Sequence, residues 1–481
     1  QESHRQSASA ICQAGFRLSV SAQWSGPVSS TRMFHKLFIA NRGEVAVRVA
    51  RTARTMGIRT VGAVSTADRG ASWTKALDEL IGVGSGPPRE SYLQQERLVQ
   101  AAVQSGCTAL HPGWGFLAEN ARFAALVEAH GVTFVGPAPR AMDQMGLKTP
   151  AKRAARAAGL PVIPGSDGPL RDETEALRLA HEIGFPVMVK ADAGGGGRGM
   201  RLVREPKDFA AAWQAASSEA LAAFGDGACY IEKYLERGRH IEVQVMGDRF
   251  GNAIHLYERE CSIQRKHQKL IEESCSPCLD DATRERIGLL AANLTAALRY
   301  AGAGTVEFLR AQDGAIYFME MNTRLQVEHP VTEERTGLDL VRMQLEVAAN
   351  QPLRISQAAV KTNGHAIEVR INAEDPARAF APSPGVLSVV DIPTHLGPGR
   401  VRVDTHVAAG DEVPPYYDSL LAKVIAHGST RAEAIQTLLA CLRNARVEGV
   451  ATTIPVHLAV LGSHAFQSGQ YDTGSIPGMQ E

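Results

Sequence analysis

From residue 34 onward, short runs of β-branched and apolar residues alternate with stretches whose apolar positions recur every three or four residues. Residues 36–40 and 60–65 read as strands, 44–56 and 93–105 as helices, and further short strands fit 109–110 and 132–135. This alternation predicts a parallel sheet covered by helices, with the turn His111-Pro112-Gly113-Trp114-Gly115 at a strand end, where such sheets bind ligands. A helix over 150–158 opens a second region. In it, strands at 185–190 and 200–203 flank a glycine-rich hairpin, a helix follows at 210–223, and strands at 229–232, 240–246 and 252–258 predict an α+β unit with antiparallel pairing. The last region, from Gly364 to about Ile476, mixes strands at 366–371 and 401–405 with a helix at 431–444.

One polar pattern stands out against this background. Glu320, Asn322, Arg324, Gln326 and Glu328 recur at every second residue, directly after the apolar run 315–319. If the chain stays extended they share one face, so a buried strand feeds oxygen donors, a guanidinium and a second carboxylate outward together. A solvent-facing strand alternates in the same way without any function. Glu307 lies in the otherwise apolar strand Gly304-Thr305-Val306-Glu307-Phe308-Leu309, where a carboxylate is costly unless paired or bound to a cation. With Glu320 and Asn322 it offers hard oxygen ligands suited to Mg²⁺ on nucleotide phosphates.

Gly194, Gly196 and Gly199 satisfy G-x-G-x-x-G, but residues 200–203 continue as strand rather than helix, and no Lys-Ser/Thr follows. Neither a Rossmann fingerprint nor a P-loop fits. What remains is a flap whose bare amides can approach phosphate, with Lys190 at the end of the preceding strand, or simply a mobile surface hairpin. The cluster Arg265-Lys266-His267-Gln268-Lys269 reads by default as a solvated turn, and beside a metal-phosphate centre it would hold an anionic second substrate.

Charge and cysteine usage narrow the classes. The chain of 481 residues carries 51 basic and 51 acidic side chains, so no global field gathers nucleic acid or an anionic membrane. No apolar run approaches the roughly 18 residues of a membrane span, which predicts a soluble protein. Seven scattered cysteines predict reduced thiols in an intracellular compartment, and Cys275-Ser276-Pro277-Cys278 reads as a turn rather than a zinc or redox motif. Residues 1–32 are Ser-rich with a single acid, Glu2; they loosely match an organelle transit segment or are upstream sequence before a start at Met33.

The landmarks Ala40-Asn41-Arg42-Gly43-Glu44, 111–117, 194–200, Glu232-Lys233-Tyr234-Leu235, 264–269, 320–330, Arg370-Ile371-Asn372-Ala373-Glu374-Asp375 and Pro414-Pro415-Tyr416-Tyr417-Asp418 occur in an order that resembles the biotin carboxylase family of the ATP-grasp superfamily. The resemblance runs from Phe34 to about Gly474 and is nearest to the biotin carboxylase part of acyl-CoA carboxylase α subunits. It implies an α/β and α+β architecture in three parts after an N-terminal extension at 1–33. These are a Rossmann-like pre-ATP-grasp domain at 34–147, an ATP-grasp domain at 148–350 with a mobile glycine-rich lid at about 162–236, and a C-terminal biotin carboxylase domain at 364–475.

It also implies a ligase that uses ATP, Mg²⁺ or Mn²⁺, and bicarbonate to carboxylate biotin supplied on a separate carrier domain, through carboxyphosphate. By this likeness Lys148, Lys190, Gly196, Gly197, His240 and His267 contact ATP, and Glu232, Lys233, Tyr234 and Leu235 hold the adenine. Glu307, Glu320 and Asn322 take the metal. Lys269, Arg324 and Val327 seat bicarbonate, Arg370 faces bicarbonate and biotin, Trp114 borders the biotin pocket, and Glu328 is the base. The implied partners are a biotin carboxyl carrier domain and a carboxyltransferase, in a homo-oligomer placed in the cytoplasm, or in the mitochondrial matrix if residues 1–32 are a transit segment. Trp114 stands where the family commonly has Tyr, Leu147 replaces an acid that often precedes Lys148, and Thr55 replaces an acid found at the dimer contact of some relatives. A carbamoyl phosphate synthetase type of ATP-grasp ligase and an inert ATP-binding module are the alternatives; Arg370 with residues 372–375 argues against the first, and the filled catalytic positions against the second.

Overall fold

Leu37 and Ile39 point to one side of the first strand and Phe38 to the other, and all three are fully buried, so this strand must be covered on both faces. In the computed structural model, which describes residues 33–191, 200–266 and 268–479, it is the centre of a five-stranded parallel sheet. The elements are β1 (Lys36–Ile39), α1 (Gly43–Thr55), β2 (Arg59–Ser65), β3 (Glu79–Gly84), α2 (Gln95–Gln104), β4 (Ala109–His111), α3 (Ala121–Ala129) and β5 (Thr133–Phe134), and the strand order is β3-β2-β1-β4-β5. Val45, Val49 and Ala53 of α1 cover Leu37 and Ile39, while Leu98 and Val99 of α2 and Phe123 and Val127 of α3 cover Phe38. The edge strand β3 escaped the sequence pattern. Its run Glu79-Leu80-Ile81-Gly82-Val83-Gly84 is half exposed and interrupted by two glycines, so neither period nor propensity marks it.

After α4 (Pro139–Gly146) and α5 (Lys148–Ala157), residues α6 (Glu173–Ile183), β6 (Val187–Ala191), β7 (Met200–Val203), α7 (Phe209–Phe224) and β8 (Cys229–Lys233) build a small separate layer. Its sheet has the order β7-β6-β8 with antiparallel pairing, and Val187, Val189, Val203, Phe209, Trp213 and Ile231 form its own core.

The largest sheet is antiparallel and has eight strands. It contains β9 (Arg239–Gly247), β10 (Ala253–Arg265), β11 (Gln268–Ser274), β12 (Gly302–Arg310), β13 (Ile316–Asn322) and β14 (His365–Asn372), with α8 (Asp281–Ala297), α9 (His329–Thr336) and α10 (Leu340–Ala348) between them. The order is β13-β12-β9-β10-β11-β14, continued by strands Leu420–Gly428 and Arg400–Thr405. Strands from the last region of the chain thus extend the sheet begun by the middle region. Helix Arg431–Asn444 packs Leu438 and Leu442 against this extension.

The polar run beginning at Glu320 does not stay extended. β13 ends at Asn322, and residues 323–328 form a turn leading into α9, which has Pro330 in its first turn. Two contacts divert the chain: the Thr323 N–H donates to Glu119 (2.8 Å) instead of to a neighbouring strand, and Leu325 is drawn fully into the core. Cys275 and Cys278 lie around a turn, as expected, and neither belongs to a metal-ligating cluster among the described residues. No described helix is long and apolar enough to cross a membrane.

Candidate active site

Across β12 and β13 the register sets Glu307 directly opposite Glu320, with a bulge at Met319 before Phe308 meets Phe318. Like charges facing each other across a sheet destabilise it, so this pairing persists only with cations nearby. The protein supplies two. Lys269 of β11 places Nζ 3.1 Å from Glu307 Oε1, and His240 of β9 places Nε2 3.2 Å from Glu307 Oε2. Asn322 and Gln326 also donate to Glu307, at 2.8 and 3.0 Å. Burial pushes the Glu307 carboxyl up, but Lys269 and His240 outweigh it and hold the group well below the usual carboxylate range. For Glu320, burial and then the charge of Glu307 act in the same direction and raise it.

Lys269 is the hub. It bonds Glu242 (2.5 Å) and Glu328 (2.6 Å) as well as Glu307, and these three acids outweigh the effect of burial and hold the ammonium charged. Glu328, the residue before α9, is 2 % exposed, and its second oxygen accepts from Arg370 Nη2 at 2.8 Å. Burial alone would protonate it; Lys269, Arg370 and Arg259 keep it an anion. Arg370 of β14 is braced from behind, its Nε donating to Glu272 Oε1 at 2.6 Å. Arg324 donates to Asn322 Oδ1 (3.1 Å) and Glu119 (2.9 Å), and the carbonyl of Val327 accepts from Lys423, which also pairs with Glu44. Thus Glu307, Glu320, Asn322, Arg324, Val327, Glu328, His240, Lys269 and Arg370 converge on one cleft, although a loop rather than a strand delivers three of them.

The small layer and α5, which precedes it, bring the remaining cations. Lys190 on β6 pairs with Glu232 on β8, and burial together with the neighbouring charge of Lys148 lowers its ammonium to about 8 despite the charge of Glu320. Lys152 of α5 pairs with the same Glu232, and burial followed by the charges of Lys190 and Lys148 lowers it to about 7. Such destabilised ammonium groups favour a polyphosphate that would compensate them. The Lys233 ammonium is spent on the carbonyls of Gly184 and Phe185, both at 2.9 Å, while Tyr234 and Leu235 continue the chain just beyond β8. Trp114 lies in a cavity of about 190 Å³ with Arg42, Phe116, His406 and Tyr417, its indole N–H buried without a partner among the described residues. Gly196, Gly197 and His267 lie outside the described residues.

Sequence reasoning passed over Glu242, Arg259 and Glu272. The first was legible: in Arg239-His240-Ile241-Glu242-Val243-Gln244-Val245 the polar residues 240, 242 and 244 alternate with apolar ones and face the same side. Arg259 is fully buried and ties Glu242 (2.5 Å), Gln244, Thr305, Gln326 and Thr332 together. No local signal distinguishes it from an exposed arginine.

A separate small sheet carrying lysines beside an antiparallel sheet that offers opposed carboxylates defines an ATP-grasp ligase. The chain belongs within that class to the biotin carboxylase family. It matches the family descriptions "Biotin carboxylase, N-terminal domain" over residues 33–142, "Carbamoyl-phosphate synthase L chain, ATP binding domain" over 148–356 and "Biotin carboxylase C-terminal domain" over 368–477. It is 48 % identical over 448 residues to the biotin carboxylase of Nostoc sp., covering 93 % of this chain and 100 % of that protein. The identity to biotin carboxylase 1 of Bacillus subtilis is 48 % over 442 residues, covering 92 % and 98 %. Among solved structures, the biotin carboxylase domain dimer of Hydrogenobacter thermophilus 2-oxoglutarate carboxylase, in complex with MgADP, ADP and bicarbonate, superimposes with a TM-score of 0.87 at 44 % identity, covering 92 % and 97 %. The Campylobacter jejuni biotin carboxylase complex with β-γ-ATP gives 0.87 at 44 %, covering 92 % and 98 %.

Proposed function

We propose that this protein carboxylates biotin carried on a partner domain, using ATP and bicarbonate, as the first half-reaction of a biotin-dependent carboxylase. The observation that carries the reading is Glu328: an ionised, buried base gripped on one oxygen by Lys269 and on the other by Arg370, in the cleft that holds the Glu307–Glu320 pair.

Glu307, Glu320 and the Asn322 carbonyl oxygen present hard donors that fit Mg²⁺ or Mn²⁺; Lys269 and His240 compensate Glu307, whereas Glu320, raised by burial and by the charge of Glu307, has no ion-pair partner among the described residues. When bound with the nucleotide, that ion neutralises phosphate charge. Lys148 and Lys190 contact the phosphates together with Gly196, Gly197, His240 and His267, and residues 232–235 line the adenine side. Bicarbonate sits on Lys269, Arg324 and the Val327 backbone. Before bicarbonate binds, Lys269 and Arg370 suppress the basicity of Glu328. An entering anion shares those cations and raises the proton affinity of the carboxylate, so the base strengthens when its substrate arrives. Glu328 takes the bicarbonate proton while the bicarbonate oxygen attacks the γ-phosphorus and ADP leaves, giving carboxyphosphate. This mixed anhydride releases CO₂ and phosphate beside biotin. The phosphate removes the ureido proton, and Arg370 stabilises the resulting anion until it takes up CO₂.

In this reading the pre-ATP-grasp part spans 34–147, the ATP-grasp part 148–350 with its lid at about 162–236, and the C-terminal part 364–475. A carrier domain and a carboxyltransferase complete the system, and the chain works as a homo-oligomer. The test is ADP release with Mg²⁺: it should require bicarbonate and accelerate with free biotin. ADP release indifferent to both, despite nucleotide binding, would refute the proposal.

A further inference from the structure

Glu273 follows Glu272 on β11 and so points to the opposite face of the sheet, away from the cleft. There its carboxylate, 1 % exposed, accepts from Arg431 (2.6 and 3.0 Å), from the Tyr471 hydroxyl and from His365 Nε2 at 2.7 Å. The other ring nitrogen, His365 Nδ1, lies 3.8 Å from the sulfur of Cys275. Fixing the imidazole proton on Nε2 leaves Nδ1 free to take the thiol proton, the arrangement by which a carboxylate-oriented imidazole activates a sulfur nucleophile.

We propose that Cys275, His365 and Glu273 form a nucleophile, base and orienting acid that make Cys275 a reactive thiol, open to peroxides and soft electrophiles, on the face of the sheet remote from carboxylation. The groups facing the sulfur favour its anion. Arg335 from α9, Arg284 from α8 and His365 from β14 are cationic or protonatable, and Glu258 from β10 is the opposing acid. Burial pushes the Cys275 thiol up, but the His365 hydrogen bond and the charge of Arg335 outweigh it and bring it below the ordinary value. Burial raises Cys107, Cys261 and Cys441, with Cys441 pushed up to about 11. Cys278 is partly exposed, like Cys275, yet burial and the nearby Glu260 push it up to about 11. It is therefore an internal control three residues away.

With hydrogen peroxide, the Cys275 sulfur attacks one peroxide oxygen and the O–O bond breaks. The sulfur is oxidised by two electrons to the sulfenic acid, and the hydroxide released takes the proton held by His365 and leaves as water. A small thiol then displaces a second water to give a mixed disulfide.

The test is limiting iodoacetamide alkylation of the whole protein from pH 5.5 to 9, with the two cysteines resolved by fragment mass spectrometry. An ordinary thiol is only about 1 % ionised at pH 6.5. Allowing for the lower intrinsic reactivity of a stabilised thiolate, Cys275 should react about tenfold faster than Cys278 there, with its inflection shifted to lower pH. Limiting hydrogen peroxide followed by a sulfenate trap should mark Cys275, and Cys275→Ser should lose the mark. His365→Asn should return the inflection toward that of a free thiol; if that variant does not fold, the wild-type profile decides alone. Equal rates at the two cysteines, or a Cys275 profile that follows ordinary thiol ionisation, would overturn the proposal.

Discussion

Replacing Glu328 with Gln removes one negative charge from a buried cluster while leaving its shape intact, and the surrounding contacts set the expected outcome. Lys269 retains Glu242 and Glu307, and Arg370 retains Glu272, so neither cation is stranded. The fold should lose only about 1–3 kcal/mol, the scale of a hydrogen bond to a charged group, rather than the larger penalty of an orphaned buried ion. Turnover should fall by about 10² to 10⁴, the contribution of a positioned general base, which corresponds to about 3–5 kcal/mol of barrier. The excess positive charge left on Lys269 and Arg370 still attracts an anion, so KM for bicarbonate should stay level or drop while kcat collapses. KM for ATP should be unchanged, because the side chains that Glu328 bonds, Lys269 and Arg370, are not among those assigned to the nucleotide. Coupled ADP-release kinetics at varied bicarbonate and ATP, with a thermal melt as the folding control, measure all of this. Turnover within tenfold of wild type, or a large rise in bicarbonate KM at unchanged kcat, would refute the assignment of Glu328 as base.

Glu272→Gln addresses the brace behind Arg370. Burial raises the Glu272 carboxyl to about 7 in the folded protein, so between about pH 4.3 and 7 the native state holds a proton that the unfolded chain has lost, and stability drains as pH rises through that window. The variant removes that loss, and its Tm relative to wild type should climb from pH 5 to pH 8, by up to about 3 kcal/mol in free energy. Asp68, 1 % exposed, accepts from Arg42, from the Tyr92 hydroxyl (2.7 Å) and from Trp73. Asp68→Asn strands the Arg42 charge and should cost about 3–5 kcal/mol in a denaturant titration. Trp114→Phe deletes the indole N–H that lacks a partner among the described residues and should raise KM for free biotin up to about tenfold, with KM for ATP unmoved.

Local periodicity made much of this molecule readable. The strands at Lys36–Ile39 and Arg59–Ser65, helix Arg431–Asn444 and the hairpin of Val187–Ala191 with Met200–Val203 all follow from alternating or helical apolar spacing. Glu307 was conspicuous because a carboxylate inside an apolar strand needs an explanation. The polar run after Glu320 shares one face only if the chain stays extended, and the structure turns after Asn322; partners far along the chain, such as Glu119 and Lys269, gather its side chains instead. Those long-range partners, with Arg259 and Glu272, carry no local signature. The continuity of the large sheet across residues 350–364 was equally hidden, since hydrogen bonding between distant strands leaves no trace in spacing.

That continuity reaches beyond catalysis. β14 bonds to β11 along Ile271–Ser274, so a chain severed between α10 and β14 would yield two fragments, each ending in a naked sheet edge shaped for the other. Arg370 and Glu328 would come from different pieces, and activity recovered on mixing would report the reunion of the two edges, which makes this seam a natural place to split the enzyme into a two-part reporter.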